Sequence, residues 1–294
     1  SLHDALPIFS TVSMARYFGE HRGKAISIAS LGFPTGEALL PITAVTLIAW
    51  LGWREMWMGV GIVLAIVLVP LMLWLLKGHS ERHAGLQETL RAEDSVEEAA
   101  RSWTRGQMLR DLRFYVLMPN LMASPMIGTG IMFHQVHLVD MKGWTLAWFA
   151  GAFVAYAIAQ TLSGIVTGLL VDRFGAVRIL RVDMLPMLIG LLVLSFFSEP
   201  WVAIAYMIFA GTSSGAIGIT HSAVWAELYG VSHLGGIKAL ATSMMVLASA
   251  LGPPLMGLAI DAGQSMETIS MVSVGFVAIS IFMVLFIFPR IKGN

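Results

Sequence analysis

A glutamate inside an apolar run is the residue best placed to do chemistry in this chain. Glu37 lies about twelve residues into the hydrophobic stretch that begins near Ala25, flanked by Gly32, Pro34, Gly36 and Pro41. Glycines and prolines at that density loosen a helical backbone. If the run crosses a bilayer, an ionised carboxylate near its middle is costly, so it must pair, face a cavity or carry a proton. The competing reading is a neutral glutamate bonded to a carbonyl freed beside Pro41. Histidines are the next candidates, because imidazole changes charge near physiological pH. His134, with Gln135 and His137, stands near one end of the run at about 114–139, in which Pro119, Pro125, Gly128 and Gly130 predict a broken helix. His134 and His137 share a helix face at i, i+3, which would also suit a metal; only Asp140 is adjacent as a carboxylate, so neither a metal site nor a cofactor is expected. Ordinary interfacial polar residues are the alternative. His221 follows Gly211, Gly215 and Gly218, whose spacing reads first as close helix packing and second as cavity space. Tyr156 and Gln160, at i, i+4, are candidate ligand donors, whereas Asn120 and Asp183 read as structural.

These side chains need elements to hold them. Hydrophobic residues make up 57% of the sequence and charged ones 12%, half the share of an ordinary soluble domain. Apolar stretches at about 25–51, 56–77, 114–139, 145–170, 179–198, 200–226, 237–260 and 268–289 each approach or exceed the roughly 20 residues that span a hydrocarbon core. Backbone amides in lipid have no water to bond, so such segments must be helices. The expected fold is all-α and polytopic in a membrane. With no cysteine, disulfides and thiolate metal sites are excluded; with no basic face outside short loops, nucleic acid is excluded as a partner.

Charge placement orients the helices. Sixteen of the eighteen Lys and Arg residues fall in alternate connections and ends, from Arg16, Arg22 and Lys24 through the 78–112 connection to Arg173, Arg178, Arg181, Lys238, Arg290 and Lys292. Only Arg54 and Lys142 fall on the other side. Basic residues mark the cytoplasmic face, which places the C-terminus and the 78–112 connection there. Trp50, Trp53, Trp144 and Trp148 on the opposite side fit an interfacial aromatic belt. The connection itself balances basic against acidic residues and carries a weak apolar stripe (Leu86, Leu90, Val96, Ala100, Trp103), the pattern of a surface helix in a linker.

Ser1–Ile8 (SLHDALPI) reads as a translated sequencing adapter rather than native sequence, since His3, Asp4 and Pro7 interrupt what should be apolar helix; a genuine re-entrant start is the alternative. The expected organisation is therefore residues 9–77 as the remainder of an N-terminal bundle, 78–112 as a cytoplasmic linker and 113–294 as a six-helix C-terminal bundle. A faint internal repeat supports two halves: Ala15–Gly19 resembles Ala226–Gly230, and Gly23-Lys24-Ala25 resembles Ile237-Lys238-Ala239.

The segment Gly168-Leu-Leu-Val-Asp172-Arg173-Phe-Gly175-Ala-Val-Arg178 resembles the cytoplasmic loop signature of the major facilitator superfamily. Tyr17–Ala25, followed by Gly32 and Gly36, resembles the junction between the fourth and fifth helices of bacterial permeases near the monocarboxylate porters. The resemblance implies helices five to twelve of twelve, with the missing helices upstream as a partner, and alternating access between two bundles. It implies a monomeric secondary transporter in the bacterial inner membrane, moving a small solute, and not an enzyme. Coupling to protons is expected from Glu37 and the membrane histidines. Within the signature, Arg173 would complement a helix C-terminus, and Asp172 would pair with Arg178 or bond the next helix's N-terminus, locking one state. Gly168 and Gly175 would allow close helix approach and a tight turn, and Gly252-Pro253-Pro254 would mark a kink used in gating. One departure counts against an anionic substrate: the stretch 145–170 lacks the Arg that engages carboxylates in the monocarboxylate porters.

Two other function classes fit the residues less well. A polytopic membrane enzyme would need a catalytic cluster, but H-E-x-x-H and cysteine are both absent. A membrane sensor on a transporter scaffold would usually add a sizeable soluble domain. No G-x-x-x-x-G-K-[ST] loop is present, so nucleotide hydrolysis does not drive the process directly.

Overall fold

The computed structural model describes residues 32–76, 103–230 and 234–290. Its elements, in chain order, are α1 (Gly32–Leu51), α2 (Trp53–Val63), a π-helical turn (Leu64–Leu68) and α3 (Val69–Leu76), then α4 (Arg105–Met108), α5 (Leu112–Phe133), α6 (Gln135–Lys142) and α7 (Leu146–Phe174). They continue with α8 (Ala176–Ile179), α9 (Leu185–Phe196), α10 (Trp201–Tyr229), α11 (Leu234–Asp261) and α12 (Met266–Phe282), which runs on through a π turn to Arg290. No strand occurs among the described residues. The repeat motif at 15–25, the adapter-like start and most of the 78–112 linker lie outside them.

Local sequence sets the boundaries. Thr145, Ser265 and Asp111 each accept a backbone N–H from the first turn of α7, α12 and α5, and Thr104 with Gln107 forms a capping box on α4. Gly143 ends α6 in the left-handed region, at φ 68°, where a side chain would be strained.

Six helices among the described residues have the length and apolarity to cross a membrane: Trp53–Leu71, Leu112–Phe133, Leu146–Phe174, Trp201–Tyr229, Leu234–Asp261 and Met266–Arg290. Two expected spans differ. The run expected at 179–198 forms a helix only over Leu185–Phe196, because the chain turns through 180–184 around the buried Asp183 before Pro186 opens the helix. The first run is described only from Gly32.

The prolines of α5 behave differently from expectation. α5 passes through Pro119 and Pro125 and breaks instead at His134, whose Nδ1 hydrogen-bonds the Gly130 carbonyl and closes the last turn. α11 contains Pro253 and Pro254 within its helical span. Proline inside an apolar helix is tolerated where neighbouring helices and side chains support the backbone.

The strongest packing pairs α7 with α10 and α5 with α11; α1 lies along α7, and α9 joins α10 to α12. At two glycines the α7–α10 contact is backbone to backbone: a Cβ on Gly211 would strike the Tyr156 carbonyl, and one on Gly215 the Gln160 carbonyl. Gly252 sits in the same way on the Met126 carbonyl of α5. Such contacts require glycine.

The bundle has two apolar cores at successive levels along α5 and α10. One contains Ile127, Leu138, Phe149, Leu191, Tyr206 and Met256; the other contains Met108, Phe114, Leu180, Trp225, Tyr229 and Ile237. Outside them, residues such as Leu162, Leu169, Leu258 and Val272 are more than half exposed. Helices apolar on both inner and outer faces belong in lipid.

Candidate functional site

Glu37 projects from α1 into a cavity of about 360 Å³ bounded by α1, α5, α7, α9 and α10. Phe133, Phe153, Tyr156, Met132, Met187 and Tyr206 supply most of its wall, and Ser124, Thr129 and Ser214 add hydroxyls. Glu37 is the one charged residue in that lining. Its Oε2 is buried and has no hydrogen-bond partner among the described residues.

α7 brings the expected companions alongside. Tyr156 lines the cavity, and the Gln160 side chain lies close to Glu37. Gln160 also donates through Nε2 to Ser214 Oγ on α10 at 3.1 Å, leaving its own Oε1 without a partner. Glu37, Tyr156 and Gln160 are thus gathered with Ser214, which sequence reading did not select. The backbone contacts of Gly211 and Gly215 fix this group, since they seat α10 against Tyr156 and Gln160 themselves. Chemically, the cavity offers one carboxylate, aromatic faces, methionine sulfurs and a few neutral hydrogen-bonding groups. It offers no cation to an anionic ligand.

The histidines lie elsewhere. His134 is committed to the α5–α6 break, with its ring beside Gly257 of α11, and is not part of the Glu37 cavity. His137 sits in α6 beyond that break. Neither joins a metal-like cluster, and no group of three or more potential ligands occurs among the described residues. His221 is buried on α10 and contacts Asn120 and Asp183, two residues first read as structural.

The loop signature is built differently from the expected pairing. Gly175 makes the tight turn at φ 83°, and Arg173 occupies the last turn of α7 with its guanidinium 5.4 Å from the Phe174 ring centre. Asp172, however, forms neither an ion pair nor a hydrogen bond among the described residues, with Arg178 or with the next helix. Glu227 from α10 takes that role, accepting the backbone N–H of Ala176 at 2.6 Å and that of Val177 at 3.4 Å. Gly168 makes no close approach, since a Cβ there would meet nothing within 4 Å.

On the opposite side, Lys142 is enclosed. Its ammonium donates to the Phe197 carbonyl and Ser198 Oγ and pairs with Glu267 Oε1 at 2.7 Å. Trp144, expected in an exposed belt, is buried and donates to the Ser198 carbonyl; Trp148 stays partly exposed, while Trp50 and Trp53 are exposed. A second cavity of about 420 Å³ between α5, α11 and α12 contains no titratable side chain.

The sequence model for the Major Facilitator Superfamily matches residues 5–155 and 138–294. No curated protein matches the chain.

Proposed function

This chain belongs to the major facilitator superfamily, whose members are membrane-embedded secondary transporters of small molecules, and from that premise we propose a proton-coupled carrier in which Glu37 is the group that exchanges a proton. The observation that carries this reading is the Glu37 carboxylate itself: charged in type, set in a mostly apolar cavity, with Oε2 unpartnered. A carboxylate so placed is stable when it holds a proton or meets a ligand's positive or hydrogen-bonding group. The two occupants compete for one oxygen pair, which is the simplest physical basis for coupling solute to proton.

The cavity wall narrows the solute. Aromatic and methionine side chains favour an apolar or amphipathic body, and the absence of Lys, Arg or His from the lining disfavours an anion. The solute is therefore neutral or cationic. Alternating access between bundles moves it, with α1 and α7 meeting at the cavity. The chain sits in the bacterial inner membrane as a monomer, with the Arg173–Arg181 loop on the cytoplasmic side.

Solutes selected by thermal stabilisation of the purified chain test this in vesicles with an imposed pH gradient. Glu37→Gln is expected to abolish pH-driven flux while solute exchange at equal pH persists. Unchanged pH-driven flux in that variant would falsify the assignment of Glu37.

A further inference from the structure

A second polar cluster lies between the two apolar cores of the bundle. His221 Nε2 hydrogen-bonds Asn120 Oδ1 at 2.8 Å, and Asn120 Nδ2 donates to Asp183 Oδ1 at 3.4 Å. Because an amide oxygen only accepts, the first bond assigns the His221 proton to Nε2. His221 Nδ1 and Asp183 Oδ2 have no hydrogen-bond partner among the described residues, and Oδ2 lies 3.9 Å from His221 Nε2. Asn120 is 1% exposed, Asp183 3% and His221 7%. Ser213 Oγ donates to the Asp183 carbonyl and ties the 180–184 turn to α10.

Position in the cores sharpens the picture. Leu117 and Leu121 belong to one core and Ala123 to the other, with Asn120 among them. Leu180 and Met184 bracket Asp183 in the same way, and Val224 and Ile217 bracket His221. Three separate chain segments therefore place a polar residue at one seam.

We infer that Asp183, Asn120 and His221 form a proton-binding site in the C-terminal bundle, separate from Glu37, which holds one proton on Asp183 beside a neutral His221. The alternative charge state, carboxylate facing imidazolium, would give His221 a second N–H with no acceptor and leave Asp183 Oδ2 bare at the seam. The neutral state leaves only a bare imidazole nitrogen and a hydroxyl. Losing the proton would strand a net charge between two apolar cores, so occupancy of this site is tied to the bundle's packing.

Among the described residues, no other charged group pairs with Asp183. On the elements packed around the seam, Asp111 pairs with Arg113 at the foot of α5, and Glu227 of α10 is turned to the Ala176 N–H. Lys238 of α11 donates to Ser222, Glu267 of α12 pairs with Lys142 at the far end, and Asp172 and Arg173 end α7. Arg178 and Arg181 lie on the same segment as Asp183 but form neither an ion pair nor a hydrogen bond with it. Tyr206 and Tyr229 of α10 belong to the two cores.

The site stands whether or not Glu37 couples transport, and infrared spectroscopy of the purified chain in detergent reads it without a substrate. A protonated-carboxyl band at neutral pH should shift when aspartate is ¹³C-labelled, vanish in Asp183→Asn and persist in Glu37→Gln. Among the other described aspartates, Asp140, Asp172 and Asp261 are exposed and Asp111 is paired, so a labelled chain carrying Asp4→Asn and Asp94→Asn decides the matter even if the Asp183 variant does not fold. A folded chain with no aspartate-dependent protonated-carboxyl band, or a band that survives Asp183→Asn, would overturn the proposal.

Discussion

Among single residues, the chemistry follows from which polar atoms the fold satisfies and which it leaves open. Lys142 lies at one extreme, with a fully enclosed ammonium and three acceptors: a carbonyl, a hydroxyl and Glu267. Its bonds join the α6 end to the 197–198 turn and to the start of α12. Replacing it with Met keeps the stem's volume but leaves the Phe197 carbonyl and Glu267 without their donor. Lys142→Met is expected to cost about 2 kcal/mol, read as a lower melting temperature in detergent, whereas Glu267→Gln, which keeps a neutral acceptor at a partly exposed position, should cost less. Glu37 Oε2 and Gln160 Oε1 lie at the other extreme, buried and without a hydrogen-bond partner among the described residues. Glu37 was legible in the sequence because a carboxylate in an apolar run is conspicuous by itself. Asn120 and Asp183 were not, since each looks unremarkable until residues 63 and 101 positions apart meet. No local periodicity encodes that meeting.

At the level of elements, the α7–α10 pair decides where the site's side chains point. The i, i+4 spacing of Gly211 and Gly215 announced close packing in the sequence, and both are in backbone contact with α7. Gly218 follows three residues on, yet a Cβ there would meet nothing within 4 Å. The glycine pattern marked a face but could not say where the helices diverge, because that depends on their crossing. Gly215→Ala is therefore expected to destabilise the chain by about 1–3 kcal/mol through overpacking and to weaken solute binding by displacing Gln160. Gly218→Ala should be neutral or slightly stabilising, given alanine's better helix propensity. Melting curves of the two variants, measured side by side, check the contrast; equal losses would mean the close approach is not confined to Gly211 and Gly215. Prolines misled for a related reason. Pro119 and Pro125 suggested a break in α5, but neighbouring helices support the backbone through them, and the interruption falls at His134.

Across the whole molecule, the distribution of charge and of apolar surface gives one consistent picture. Leu162, Leu169, Leu258 and Val272 face outward, an arrangement that water would penalise and lipid tails satisfy. All-α membrane architecture was thus readable from composition and run length, while the shortness of α9 was not, because a buried Asp183 bends the chain where hydropathy alone sees a continuous run. The proposed orientation rests on the sixteen-to-two split of basic residues. The structure removes one of the two exceptions, since Lys142 is folded inward onto Glu267 and is not a free loop charge. The chain contains no cysteine, so a single introduced thiol reports its own side without background. Glu199 lies in the exposed turn between α9 and α10, and Asp172 is exposed at the end of α7, one helix length away. In intact cells, Glu199→Cys should react with a membrane-impermeant maleimide, and Asp172→Cys should react only after permeabilisation. The reverse labelling pattern would invert the molecule in the membrane and place the Arg173–Arg181 loop on the wrong face for a cytoplasmic gate.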